Sequence, residues 1–76
     1  MASEYEPYEN LANAIVLLAA KDYRKVLKRL VVNPQSKMAA DDAARLERFF
    51  FSGWYEMLTD VDPRYLVGRL REEAGL

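Results

Sequence analysis

The chain has 76 residues, with 11 lysines and arginines against 12 aspartates and glutamates, and it contains no histidine and no cysteine. This length allows one domain, and a chain that is 51% apolar is too apolar for an intrinsically disordered protein. The composition excludes disulfide bonds and metal sites built from cysteine or histidine. So small a domain therefore has to be stabilised by its own apolar core or by a second copy of the chain.

The composition of the N-terminal third bears on location. Residues 1–6 include Glu4 and Glu6, whereas a signal peptide begins with basic residues. The longest apolar run, residues 11–20, is well short of the roughly 20 residues that span a membrane. We therefore expect a cytoplasmic protein, and a cysteine-free chain fits that reducing compartment.

The spacing of apolar residues predicts an all-α protein, a compact bundle of three or four helices with a long first helix. Helix 1 is expected over about residues 8–31, after an N-terminal tail of residues 1–7. Pro7 suits its first turn, and Asn33-Pro34 ends it. Its apolar positions recur at steps of three and four residues and so share one face: Leu11, Ile15, Leu18, Ala19, Tyr23, Val26 and Leu30.

The two halves of helix 1 differ in polarity. Residues 11–20 are almost all apolar, and Leu17 projects away from the main apolar face. Because a helix that is apolar all round is normally covered on more than one side, we predict the first half at the centre of the fold and the second half at its edge.

The middle of the chain predicts a helix over about residues 37–51, with Ala39, Ala43, Leu46 and Phe50 facing inward. The same period continues through Gly53 to Trp54 and Met57, so one uninterrupted helix is an open alternative. Ser52, however, is a good N-cap and glycine a poor interior residue. These two residues favour a break, followed by a short helix over residues 53–58.

The last helix is expected over about residues 63–73. Asp62 can cap it, Pro63 can occupy its first position, and Gly75 can terminate it. Leu66 and Leu70 are expected to face inward, and Arg69 and Arg71 outward.

The residues do not support an enzyme. Histidine and cysteine are absent, and no glycine-rich phosphate loop is present. Carboxylates occur in pairs, but each pair lies beside a predicted helix end or on an outer face, where capping explains it. We therefore predict no catalytic residue, no metal site, no cofactor and no small-molecule substrate.

A stripe of basic residues lies in the second half of helix 1. We call this set, which shares one broad face, the basic stripe: Lys21, Arg24, Lys25, Lys28 and Arg29. Such a stripe could follow the phosphates of a nucleic acid. The competing interpretation is a solvated helix face whose cations complement the helix dipole, and an isoelectric point near 5.4 favours it.

Aromatic residues concentrate after the basic stripe, in a cluster of Phe49, Phe50, Phe51, Trp54 and Tyr55. Phe50 and Trp54 fit the inward face at four-residue spacing, but Phe51 does not. Either the third helix covers Phe51, or Phe51 and its neighbours form an exposed contact, since aromatic residues dominate interface hot spots. A symmetric homodimer would reconcile the two interpretations.

Most of the chain, roughly residues 8–73, resembles a family of short uncharacterised helical proteins encoded by bacterial prophages and mobile elements. The stretches that carry the resemblance are residues 11–17, Lys21-Asp22-Tyr23-Arg24, Arg48-Phe49-Phe50 with Ser52 and Trp54, residues 58–62, and Tyr65-Leu66. The resemblance implies a cytoplasmic accessory role in a phage or mobile-element setting. It implies no activity and no functional residue.

Together these observations predict a non-enzymatic module that binds a protein partner, or a second copy of itself, through Phe51, Trp54 and Tyr55. Binding of nucleic acid through the basic stripe is the alternative function, and a structural subunit of a larger assembly is a third. The sequence leaves the partner and the oligomeric state open.

Overall fold

Four α-helices make up the computed structural model, which describes the backbone of residues 6–76 and the side chains of residues 10–76. They are α1 (Glu6–Val32), α2 (Lys37–Phe50), α3 (Gly53–Leu58) and α4 (Pro63–Ala74), and no strand occurs among these residues. The predicted all-α class with a long first helix is confirmed. Of the tail predicted over residues 1–7, residues 1–5 lie outside the described part, whereas Glu6 and Pro7 are helical.

The helix ends follow from the capping residues. Ser36 precedes α2 and its Oγ accepts a 3.2 Å hydrogen bond from the backbone N–H of Ala39. Asp62 precedes α4 and its Oδ1 accepts a 2.9 Å hydrogen bond from the backbone N–H of Arg64. At the other end of α4, Gly75 adopts a left-handed conformation with φ 89°. That conformation lets the Leu76 N–H bond the carbonyl of Arg71, the geometry of a Schellman cap.

Helix α2 ends before α3 begins, so the break predicted at Ser52 is present. Ser52, however, does not cap α3 through its side chain. Its backbone is extended at the N-cap position of α3, and the side chain makes no capping hydrogen bond. Its Oγ instead donates a 2.6 Å hydrogen bond to the carbonyl of Phe49. The hydroxyl therefore closes the end of α2, which separates the two helices at this point.

The core lies where α1, α2 and α4 pack together. Tyr23 of α1 contacts Phe50 of α2 edge to face, with ring centroids 5.5 Å apart. Leu27 and Leu70 are fully buried beside them. The predicted inward face of α2 is confirmed, since Ala39, Ala43 and Phe50 are buried and Leu46 is half-buried.

The prediction that the first half of α1 occupies the centre of the fold is wrong. Leu11, Ile15, Leu17 and Leu18 are all exposed, whereas Tyr23, Val26 and Leu27 of the second half are buried. The reason is length. At about 1.5 Å per residue α1 is roughly 40 Å long, but α2 has 14 residues and α4 has 12. Each covers only about half of α1, so its first half extends beyond them.

Arg71 also departs from the prediction that it faces outward. Its side chain is half-buried, and its Nη1 donates a 3.4 Å hydrogen bond to Oε2 of Glu47. The contact joins α4 to α2. Arg69 is exposed, as predicted.

Candidate interaction surface

The short helix α3 is attached to the core by one residue. Tyr55 is fully buried, and its ring packs edge to face against Phe49 and Phe50, with centroids 6.1 Å and 5.8 Å apart. Its assignment to the protein interface is therefore wrong, because a buried ring has no surface to offer a partner. Tyr55 instead anchors α3 to α2.

The side of α3 that Tyr55 does not occupy is apolar and faces solvent. Trp54 and Met57 are each 71% exposed, and Phe51, just before the helix, is 54% exposed. The prediction that Trp54 continues the inward face is thus wrong, because the break at Ser52 changes the register and turns Tyr55 inward in its place. We call Phe51, Trp54 and Met57 the α3 patch.

The α3 patch borders a groove of about 390 Å³ between α3 and the first half of α1. Met57, Glu56 and Asp60 line one side, and Ala12 and Asn13 line the other. The groove contains two carboxylates but is open to solvent, so it lacks the enclosure that acid–base chemistry needs. Among residues 10–76, no three acidic side chains group together in a way that could hold a metal ion.

A second apolar surface lies on α1 itself. Leu11 and Leu18 are each 60% exposed, and Ile15 and Ala14 between them are exposed as well. Positions separated by three, four and seven residues share a helix face. These four residues therefore form one continuous stripe, which we call the α1 seam. Sequence reasoning placed Leu11, Ile15 and Leu18 of this stripe in the core because their period is that of a buried face.

The basic stripe is exposed throughout, but its members differ in their partners. Arg24 Nε lies 3.4 Å from Glu73 Oε2 of α4, and Arg29 Nη1 lies 3.4 Å from Asp42 Oδ2 of α2. Lys21, Lys25 and Lys28 form no ion pair with the side chains of residues 10–76. Two of the five cations are thus already partly neutralised by tertiary contacts.

Asp42 and Glu73 each contact a second cation as well. Asp42 also accepts a 2.7 Å hydrogen bond from Arg45, and Glu73 also lies 3.8 Å from Arg69. These are surface pairs, each of which contributes about 1 kcal/mol or less. The described residues therefore present apolar surfaces and a partly neutralised basic stripe.

None of the four described helices combines the length and the hydropathy that crossing a membrane requires. No protein-family model, curated protein or solved structure matches the chain.

Proposed function

We propose that this chain is a non-enzymatic protein-interaction module that binds a protein partner through the α3 patch. The observation that carries the proposal is the exposure of Phe51, Trp54 and Met57 within seven residues of chain. Tryptophan is among the residues most enriched in interface hot spots, and exposed groups of large apolar side chains mark interaction sites.

The packing of α3 against the core through Tyr55 supports this proposal. Binding loses affinity when a flexible segment has to be ordered, and a helix of 6 residues would not be stable alone. The buried ring of Tyr55 holds α3 in place, and its contacts with Phe49 and Phe50 are made before any partner arrives. The α3 patch is therefore presented in one orientation.

The proposal also includes the cellular compartment and the genetic origin of the protein. A cysteine-free chain fits the cytoplasm, and the resemblance described above suggests an accessory protein of a prophage or mobile element. The absence of histidine and cysteine from the sequence supports a binding role over a catalytic one.

The test is partner capture with matched variants. Trp54→Gln and Phe51→Gln remove apolar surface from the α3 patch, whereas Met38→Gln removes a side chain of similar exposure (74%) from the start of α2. Tagged proteins are used to capture partners from cells that naturally produce the chain, and bound proteins are identified by mass spectrometry. We expect a partner that is retained by the wild type and by Met38→Gln and is lost from the other two variants.

The single tryptophan gives an independent measurement. Because Trp54 faces solvent, its fluorescence emission should shift to shorter wavelength when the captured partner, purified, covers it. An identical set of captured proteins from all four chains, with no change in emission, would refute the proposed function.

A further inference from the structure

We infer that the partner segment bound at the α3 patch is an amphipathic helix with lysine or arginine residues beside its apolar face. The inference rests on the proposed function and adds the chemistry of the partner. It starts from the groove of about 390 Å³ between α3 and the first half of α1, which the α3 patch borders. We call the α3 patch and this groove together the docking surface.

The groove has an apolar floor and polar edges. Ala12 is only 5% exposed, so it lies at the floor, and Leu58, which also lines the groove, is half-buried. Glu56, Asp60 and Asn13 line the groove as well and are exposed. An apolar centre with a polar rim is the usual anatomy of a protein–protein interface. The groove therefore suits apolar side chains of a partner whose polar groups stay at the edges.

The charges at the groove select a cationic partner. Among the described residues that line it, Glu56 and Asp60 are charged and none is a cation. Neither carboxylate forms an ion pair with the side chains of residues 10–76. The facing part of α1, residues 10–20, contains no charged residue. Two carboxylates without a partner among these residues therefore attract lysine or arginine and disfavour an acidic partner.

The other end of the docking surface differs in charge. Arg48 is exposed and precedes Phe51 by three residues, a separation that places side chains close together on a helix. The anionic part of the docking surface is therefore the groove, next to Met57, and not the Phe51 end. We expect the cations of the partner helix to contact the groove end.

The conformation of the partner follows from the recognition groups that the chain offers. No strand occurs among residues 6–76, so an extended segment finds no strand edge there to join through backbone hydrogen bonds. Polyproline segments bind grooves lined by aromatic rings, and the described residues that line this groove include none. An amphipathic helix instead binds through apolar side chains three, four and seven residues apart. Trp54 and Met57, exposed and three residues apart, offer apolar surface for such contacts.

The probe for the test is a phage-displayed library of random peptides of about 16 residues, long enough for roughly four helical turns. Peptides are selected on the purified wild-type chain at low salt and depleted on Trp54→Gln, so that those retained bind the docking surface. We expect apolar residues at helical spacing and more lysine and arginine than aspartate and glutamate. Neutral or acidic selected peptides, or a library from which nothing is enriched, would overturn the inference.

Charge variants test the two carboxylates directly. Glu56→Gln combined with Asp60→Asn removes two charges with little change in shape. The matched control, Asp41→Asn with Glu72→Gln, removes two exposed carboxylates that likewise form no ion pair within residues 10–76. Anisotropy of a labelled selected peptide measures affinity, and circular dichroism confirms that both double variants are folded.

We expect the groove double variant to bind the selected peptide about five- to thirtyfold more weakly than the wild type at low salt. The control should bind as tightly as the wild type, and added salt should reduce the difference. A proline in the centre of the peptide should abolish binding, because it breaks a helix. Equal affinity of the two double variants, or unchanged binding of the proline peptide, would contradict the inferred partner.

Two further outcomes separate this inference from its alternatives. A purified wild-type chain that dimerises, with Trp54→Gln monomeric, would make a second copy the occupant and would overturn the inference. A cellular partner that is lost from Trp54→Gln but retained by Glu56→Gln with Asp60→Asn would also overturn it, and would leave the proposed function standing. The proposed function fails by a different result, an unchanged set of captured proteins from Trp54→Gln, which involves neither carboxylate.

Discussion

Tyr23 donates a 2.6 Å hydrogen bond through its phenol to Oε2 of Glu47, a contact that joins α1 to α2. Arg71 of α4 donates to the same oxygen at 3.4 Å. One carboxylate therefore connects three helices at the edge of the aromatic core. Tyr55, the other fully buried tyrosine, has a hydroxyl that finds no hydrogen-bond partner among the described residues.

This difference between the two buried tyrosines predicts different effects of removing each hydroxyl. Tyr23→Phe removes a hydrogen bond to a charged acceptor, so we expect the free energy of unfolding to fall by about 1.5–3 kcal/mol. Tyr55→Phe removes a hydroxyl that makes no such bond, and should change stability by less than about 1 kcal/mol. Urea unfolding of both variants measures the two effects. Equal losses would contradict the assigned roles.

Alkaline pH should destabilise the protein through Tyr23. Burial, together with the hydrogen bond to Glu47, raises the pKa of Tyr23 to about 12 from its ordinary value of 10.0. The group favours folding in its protonated form, so its contribution is complete below pH 10. It is lost as the pH rises through 12, an effect of up to about 2–3 kcal/mol. Burial also raises the pKa of Tyr55, with a further contribution from Asp62.

The control for this pH dependence is Tyr23→Phe. Its unfolding free energy should decline less than that of the wild type as the pH rises above 10, because the variant has no phenol at this position to ionise. Urea titrations at a series of pH values provide the comparison. Parallel curves for the two proteins would show that Tyr23 does not carry the effect.

Truncating two leucines of the same helix should change the free energy of unfolding by very different amounts. Leu27 is fully buried and Leu17 is 69% exposed. Leu27→Ala should therefore lower the unfolding free energy by about 2–5 kcal/mol, and Leu17→Ala should change it by about 0.5 kcal/mol or less. Thermal unfolding at low protein concentration keeps self-association out of the comparison. A large effect at Leu17 would mean that the face of α1 that carries Leu17 is packed.

The contrast between Leu17 and Leu27 also shows where sequence reasoning succeeds and where it fails. Caps and breaks are local, so Asp62 and Gly75 could be assigned from a few neighbouring residues. Burial along α1 depends on how far α2 and α4 reach, which is a property of the tertiary arrangement. The apolar period of Leu11, Ile15 and Leu18 is the same whether the face is buried or exposed.

The same limit applies to the aromatic cluster. Phe51 could be recognised as lying outside the inward face, but the assignment of Trp54 and Tyr55 depended on the helix register beyond Ser52. The turn at this break changes which side chains of the next helix face inward. The spacing of apolar residues does not predict the geometry of that turn. As a result Trp54 and Tyr55 exchange their expected positions, one exposed and one buried.

Two glycines near the C-terminus should respond oppositely to alanine. Gly68 lies inside α4, and a Cβ added there would meet no atom within 4 Å. Gly68→Ala should therefore raise the unfolding free energy by about 0.5–1 kcal/mol. Gly75 has φ 89°, a conformation that is unfavourable for alanine, so Gly75→Ala should lower it by about 1–2 kcal/mol. Thermal denaturation of both variants tests this, and stabilisation by Gly75→Ala would contradict the assigned cap.

The alternative function is binding of nucleic acid through the basic stripe. Only some of the cations in this stripe remain to contact phosphates. Arg24 and Arg29 contact Glu73 and Asp42, which leaves Lys21, Lys25 and Lys28. With three phosphate contacts, a plot of the logarithm of the binding constant against the logarithm of the salt concentration has a slope of at most about 3 in magnitude. We therefore expect any binding to duplex DNA to be weak, to be confined to low salt, and to weaken further in Lys28→Gln.

Fluorescence anisotropy with labelled DNA and RNA, measured over a series of salt concentrations, distinguishes the two functions. Arg24→Gln and Arg29→Gln serve as controls, and should leave the salt dependence unchanged because these side chains are already engaged. The slope could instead be near 5 in the wild type and smaller in both arginine variants. That result would show that the arginines leave their carboxylates and contact phosphate. The basic stripe, and not the α3 patch, would then be the functional surface of the protein.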